Sequence, residues 1–406
     1  MAVGAVETLV SSLASAADQT SEEASRRQET EILTLGRRLF DSGEAQQLAD
    51  LIVATRPFLN RMSKAKAGKL VKTLLDHFLD LEAGTGREIK LCEDCIAWAD
   101  AEKRNYLRQS LQVRLMALFY SSGRYEEALR LGSKLLRELK KLDDKMLLVE
   151  VQLLESKTYY KLSNVQRARA ALTSSRTTAN GIYIPPKMQA GLDLQSGVLH
   201  AADERDFKTA YSYFYEAFEG YDSVDLQRQA VNALKYMLMC KIILNQSEEV
   251  SSILSGKLAL KYAAYSDVQA MTEIAGSVKR RSLADFVAAR DKFKAELDDD
   301  FVVKRHLATL YDSLVERNLS KLIEAYGCVQ IDRIAELIGL PRDVVEKKLS
   351  QMILDKSLNG ILDQESGVLV MYTHQEADQT YARSLDTIHE SSKVIDQLYI
   401  KSGKLT

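Results

Sequence analysis

Three stretches of this chain repeat one punctuation at an interval of about 40 residues, longer than the 34 of a strict tetratricopeptide repeat. In each, a helix-periodic run ends in a short polar turn, and a second helix opens on a large residue followed three positions later by alanine. The pairs are Tyr125 and Ala128, Val165 and Ala168, and Phe207 and Ala210. The preceding helices run over Leu107 to Tyr120, Val149 to Leu162 and Met188 to Ala202. The large residue packs into the pair, and the small alanine lets the two helices approach closely. A single pair cannot bury its own apolar face, so successive pairs must stack into a solenoid. Weaker copies lie upstream. Ile32, Leu33, Leu35, Leu39 and Phe40 share one helical face, Ala45, Leu48, Ile52 and Val53 a second, and Ile89, Cys92, Ile96 and Trp98 a later one. Pro57 interrupts or caps the second of these, and Pro185-Pro186 forces the residues before it into an extended loop between layers.

The period changes beyond Phe301 to Leu319, a long helix. Ile331, Ile334, Ala335, Leu337 and Ile338 make one short helical face, Gly339 is suited to a left-handed stop, and Pro341 fixes φ at the start of a second helix. Val344, Val345, Leu349, Met352 and Ile353 form that helix's apolar face. Two β-prone runs follow, Ile361-Leu362 and Val368 to Tyr372, joined through a polar turn from Asp363 to Gly367. Helix, tight turn, helix and hairpin together are a winged helix, a unit that either reads nucleic acid or aligns protein subunits. Val368, Leu369 and Val370 are read as a strand at the edge of this hairpin, and an edge strand is a template for pairing with a neighbour. A last helix spans Glu376 to Lys401. Its stripe of Tyr381, Leu385, Ile388, Ile395, Leu398 and Tyr399 has the spacing of a helix-bundle seam.

Charge decides between the two uses of the winged helix. The chain has 55 Lys and Arg against 57 Asp and Glu. The second winged helix sets Arg342, Lys347, Lys348 and Lys356 against Asp343, Glu346 and Asp355. A surface that displaces phosphate counterions needs a clear excess of positive charge, so protein contact is expected rather than nucleic acid. With 4 prolines and 19 glycines in 406 residues, long helices are favoured over sheets. The amino terminus lacks the basic and apolar regions of a secretory signal. No run reaches the apolar length of a membrane span; Tyr236 to Leu244 comes nearest and is broken by Lys241.

The residues that could carry chemistry do not converge. Cys92 and Cys95 have the spacing of a redox or zinc pair, but Cys240 and Cys328 are isolated and no second pair completes a site. Both are read as half-buried residues on a helix, and the four thiols are expected to be reduced, in cytosol or nucleus. Gly84-Thr85-Gly86 lacks the lysine ending of a phosphate loop and is read as a helix–helix turn. His77, His200, His306, His374 and His389 are scattered and are read as surface or capping residues. Lys279-Arg280-Arg281 is read as a solvated loop. The aromatic run Tyr211, Tyr213, Phe214, Tyr215, Phe218 and Tyr221 is too dense for one face, so its helix is expected to be covered on most sides. No catalytic residue, cofactor site or metal site is expected.

A helical solenoid leading into a winged helix is the layout of the PCI domain. Four segments carry a closer likeness: Glu138 to Lys145 (ELKKLDDK), Val149 to Lys157 (VEVQLLESK), Ala210 to Asp222 (AYSYFYEAFEGYD) and Lys348 to Lys356 (KLSQMILDK). They resemble the non-ATPase regulatory subunit 11 family of the 26S proteasome. The resemblance runs from about Glu31 to the end, with residues 1–30 departing from it. It implies an all-α chain with a small β-hairpin wing: a variable tip over 1–30, a tetratricopeptide-like solenoid arm over 31–222, a PCI domain over 223–373 with its winged helix at 320–373, and a carboxy-terminal bundle helix over 374–406. It implies a non-catalytic scaffold of the regulatory-particle lid, in cytoplasm and nucleus, that supports lid assembly and ubiquitin-dependent protein degradation. The implied partners are other PCI subunits, the deubiquitinase subunit, an ATPase-ring subunit and the α-ring of the core particle, with neither nucleic acid nor membrane among them. The competing readings are a PCI scaffold of the signalosome or of a translation-initiation complex, and a winged-helix nucleic-acid binder.

Overall fold

The computed structural model describes residues 22–59, 62–81, 86–203, 206–298, 300–372 and 379–403. They divide into two compact units, Met1–Ala275 and Gly276–Thr406.

The first unit is built of helices. α1 (Glu22–Ser42), α2 (Ala45–Ala54), α3 (Arg56–Leu59), α4 (Lys64–Leu81) and α5 (Arg87–Ala101) precede the regular repeats. The chain breaks between α2 and α3 at Thr55, and Pro57 sits in the first turn of α3, where its missing N–H costs nothing. Three pairs follow: α6 (Asn105–Ser121) with α7 (Tyr125–Leu142), α8 (Lys145–Lys161) with α9 (Val165–Ala179), and α10 (Pro186–Asp203) with α11 (Phe207–Ser223). Tyr125, Val165 and Phe207 are the first residues of α7, α9 and α11. Ala128, Ala168 and Ala210 are fully buried, as close approach of paired helices requires. Several of these helices are started by side chains. Asp144 accepts from the Leu147 N–H, Asn164 from Arg167 and Asp206 from Thr209, each satisfying one amide that a helix start leaves unpaired.

Glycines set how closely the two helices of a pair come together. A Cβ at Gly197 would lie 2.6 Å from the Phe214 ring, and one at Gly132 would lie 2.9 Å from Met116 Cε. Buried hydroxyls then tie one helix to the next. Ser156 Oγ donates to the Ala168 carbonyl at 2.8 Å, Gln195 donates to Ser156 Oγ at 3.3 Å, and Ser175 Oγ donates to the Val149 carbonyl at 3.1 Å. Hydroxyls paired in this way avoid the penalty of an unsatisfied buried donor.

α12 (Gln227–Ile243) continues the stack, followed by α13 (Ser247–Leu254), a 3-10 turn at Ala259–Tyr262 and α14 (Ser266–Arg280). The aromatic run of α11 is the join. Phe214, Phe218 and Tyr221 are buried at helical spacing, with Phe214 5.3 Å from Tyr236 and Phe218 5.7 Å from Tyr262 between ring centres. Coverage is narrower than the sequence suggests. Tyr211 and Tyr213 are half-buried and Tyr215 is exposed, so α11 keeps an open face. Lys235 lies buried on α12 and pairs with Asp267 of α14 at 3.0 Å.

The second unit holds α15 (Leu283–Lys292), α16 (Lys294–Asp298), α17 (Phe301–Ile323) and the winged helix. Ser282 and Asp300 cap α15 and α17 by accepting from Asp285 and Val302. The winged helix runs β1 (Cys328–Gln330), α18 (Ile331–Ile338), α19 (Arg342–Leu354), β2 (Gly360–Asp363) and β3 (Val368–Met371). Gly339 takes φ +75° and closes α18, and Pro341 stands immediately before α19. One core joins Val315, Leu319 and Ile323 of α17 to Ile331, Ile334, Val345, Leu349, Met352 and Leu369. Leu337 and Val344, assigned to the apolar faces by their spacing, are about half exposed. α20 (Gln379–Ser402) is the last described helix.

Candidate protein-interaction surfaces

The wing is a three-stranded antiparallel sheet in the order β1-β3-β2. This corrects the reading of Val368, Leu369 and Val370 as an edge strand. β1, a three-residue strand absent from the sequence reading, pairs with the outer side of β3 and places Val329 opposite Leu369, while β2 places Leu362 opposite Leu369. β3 is therefore the central strand, and its ladder groups are already engaged on both sides. Leu369 is 0% exposed and packs inward on the winged-helix core, with Val329 and Leu362 beside it. Because side chains alternate along a strand, Val368 and Val370 turn to the opposite face. There Val370 lies between Cys328 and Ile361, all three exposed. Of the three wing residues named from sequence, Val370 is on the accessible face, Val368 is partly buried, and Leu369 belongs to the core.

α19 presents little free positive charge. Arg342 pairs with Asp332 at 3.1 Å, and Lys348 pairs with Asp312 at 3.2 Å and Glu316 at 3.3 Å. Burial alone would lower the Lys348 ammonium, but Asp312 and Glu316 hold it above its ordinary value. These carboxylates occupy cations that a phosphate backbone would need.

α20 differs from every other long helix described. All of its described side chains are exposed. Tyr381, Leu385, Ile388, Ile395, Leu398 and Tyr399 range from 50% to 80% exposed. The seam spacing read from the sequence is present as a helix face, and that face is uncovered in the lone chain.

The other sequence candidates are dispersed. Cys92 and Cys95 lie on α5 and are fully rather than half buried. Burial pushes the Cys92 thiol up to about 12, and burial also raises those of Cys95 and Cys240, so these thiols are held neutral and unreactive. Cys328 alone of the four is exposed. Gly84 and Thr85 lie outside the described residues, as does His374; Gly86 takes φ +77° just before α5. His306 is buried on α17, contrary to the surface assignment, because it lies on the inward face with Val302, Val303 and Leu310. His77 packs on Phe40 and His200 stacks on Tyr213. Lys279 and Arg280 form the last turn of α14 rather than a loop, with Arg280 paired to Asp285 at 2.9 Å. Among the described residues, no group of three or more His, Cys, Asp or Glu side chains is placed to hold a metal ion, and no helix is long and apolar enough to cross a membrane.

A helical solenoid, a winged helix and an uncovered amphipathic helix define a PCI-type protein-assembly subunit. Comparison with known proteins agrees. Residues 2–122 match the model of the 26S proteasome regulatory subunit RPN6 N-terminal domain, and residues 284–373 match the PCI domain. The first match takes in most of the tip that the sequence reading set apart as divergent. The chain is 51% identical over 381 residues to the probable 26S proteasome regulatory subunit rpn-6.1 of Caenorhabditis elegans, covering 94% of this chain and 87% of that one. It is 47% identical over 386 residues to the 26S proteasome non-ATPase regulatory subunit 11 homolog of Arabidopsis thaliana, covering 95% and 91%. It is 42% identical over 400 residues to the 26S proteasome regulatory subunit RPN6 of Saccharomyces cerevisiae, covering 97% and 92%. The chain belongs to the RPN6, or non-ATPase subunit 11, family of 26S proteasome regulatory subunits.

Proposed function

We propose that this protein is a non-catalytic scaffold of the proteasome regulatory-particle lid. In this reading its last helix completes a bundle with helices of other lid subunits. Its wing face meets a neighbouring PCI subunit, and its solenoid arm bridges the lid to the ATPase ring and to the α-ring of the core particle. The deubiquitinase subunit would lie near the bundle, and the protein would work in cytoplasm and nucleus, in ubiquitin-dependent protein degradation. The observation that carries the reading is the exposed apolar stripe of α20 in a chain whose relatives are named as proteasome regulatory subunits. Burying a large apolar side chain is worth about 1.5–3 kcal/mol, so a stripe of this size forgoes on the order of 10 kcal/mol until a partner covers it. The signalosome and translation-initiation alternatives are disfavoured by the family relationship, and the nucleic-acid reading by the paired cations of α19.

A chain ending at Tyr372 tests this. It should keep the thermal transition of the intact protein and lose no more helical signal than α20 contributes, yet fail to enter lid assemblies on native gels. Normal incorporation of the shortened chain would refute the assembly role of α20. The wing contact needs a different probe from Leu369, whose substitution would damage the core. Ile361→Asp, on the exposed sheet face, should weaken incorporation without unfolding the chain.

A further inference from the structure

In the solenoid, a small cavity of about 80 Å³ opens between α9 and α10. It is lined by Arg169, Thr173 and Arg176 from α9 and by Ser196, Leu199 and His200 from α10. The α9 residues recur at intervals of four and three, which puts them on one face of that helix. The volume is far below the several hundred Å³ of a drug-sized pocket and amounts to a few waters at about 30 Å³ each. It suits one small polar group.

The two arginines are in different states. Arg169 Nη1 holds Asp203 at 2.9 Å. Arg176 makes no direct ion pair among the described residues; its charge acts at longer range on the Asp193 carboxyl, which it lowers. Its Nη1 donates to Tyr213 Oη at 3.0 Å and to Ser196 Oγ at 3.4 Å, and its guanidinium lies 4.9 Å from the centre of the Tyr213 ring. His200 stacks on the other part of this arrangement, 5.4 Å from Tyr213. The remaining acids nearby are engaged elsewhere. Asp193 accepts from Gln189 at 3.0 Å, and burial raises its carboxyl above the ordinary value. Asp206 caps α11 through Thr209. Tyr213 and Ser196 therefore fix the Arg176 fork through one nitrogen and leave its Nη2 and Nε side open. That side is the geometry that takes a carboxylate through two parallel hydrogen bonds.

We propose that this cavity between α9 and α10 is a binding site for a single carboxylate carried by an acidic protein segment, held by the Arg176 guanidinium and flanked by Thr173 and His200. One guanidinium without a directly bonded carboxylate matches the single charge of a carboxylate better than the nearly double charge of a phosphate. Arg169 with Asp203 shows the same wall accepting a carboxylate. The site goes beyond the assembly reading and does not rest on it, since its test uses the isolated full-length chain.

The probe is a fluorescein-labelled hexaglutamate peptide, followed by anisotropy at low ionic strength. The intact chain should bind it. Arg176→Gln should weaken binding about tenfold, as loss of a charge-assisted hydrogen-bond pair does. Thr173→Glu should weaken it as much by filling the cavity with its own carboxylate while leaving the arginine in place. Arg280→Gln, the same charge change at the Asp285 pair, should have no effect. Acetate should displace the peptide at lower concentration than inorganic phosphate at equal ionic strength. Absence of binding, equal weakening by all three variants, or stronger displacement by phosphate would each overturn the assignment. Should Arg176→Gln lose helicity, Thr173→Glu, which removes only the bond from the Thr173 hydroxyl to the Arg169 carbonyl one turn back in the same helix, decides the matter.

Discussion

α7 and α20 carry apolar stripes of nearly the same spacing and meet opposite environments. In α7, Ala128, Gly132, Leu135 and Leu139 step by four, three and four, and all are buried. In α20, Tyr381, Leu385, Ile388, Ile395 and Tyr399 step by four, three, seven and four, and all are at least half exposed. α7 lies between α6 and α8, whose own stripes need the same cover. α20 follows the wing as the last described helix. The difference teaches that periodicity states a need for burial without naming what meets it. In the repeat the next pair of the same chain supplies the cover, and for α20 no described part of the chain does.

The largest contrast should come from placing one charge in each stripe. Leu139→Asp puts an unpaired carboxylate in a packed layer and should cost more than about 4 kcal/mol, the upper part of the range for core damage. Ile395→Asp should change the stability of the isolated chain by less than about 0.5 kcal/mol. Chemical denaturation followed by circular dichroism reads both, and equal costs would erase the distinction between the two helices. Next in size is Asp267→Ala, which takes the Asp267 carboxylate away from the buried Lys235 ammonium on α12 and should cost about 3 kcal/mol. A variant removing both charges, Lys235→Met with Asp267→Ala, should recover most of that loss. Smaller again is Gly197→Ala. Its methyl group would press on the Phe214 ring, so the ring or the helix must shift, at about 2 kcal/mol.

The stripes themselves were legible because a helix face repeats many times, and so were the turns, because Ser163-Asn164 and Asp203 to Asp206 announce a helix start chemically. The wing was legible only as a hairpin. Val368 to Met371 is apolar at every position, so it carries no alternation to separate a central strand from an edge strand. Its second neighbour, Cys328 to Gln330, is too short to register as a strand. The same limit hid the Arg176 cavity. Nothing in the spacing of Arg169 and Arg176 sets them apart from other charges on a helix, and only the packing of α10 and α11 brings Ser196, His200 and Tyr213 against them.

A gentler probe of burial uses the thiols. Cys92, Cys95 and Cys240 should resist iodoacetamide at neutral pH, with burial holding Cys92 neutral up to about 12, while Cys328 on the open wing face should react promptly. Mass spectrometry of the digested chain identifies which have reacted. In the assembled particle Cys328 should slow if the wing face is covered; an unchanged rate there would remove that face from the interface.

Amide hydrogen exchange over α20, read in the isolated chain and again in the assembled regulatory particle, tests the central claim most directly. With its stripe exposed and no cover of its own, the helix should exchange far faster than α7 in the isolated chain and become strongly protected on assembly. Protection of residues 379–403 equal to that of α7 in the isolated chain, or no gain of protection in the particle, would contradict the claim that this face is completed by another subunit.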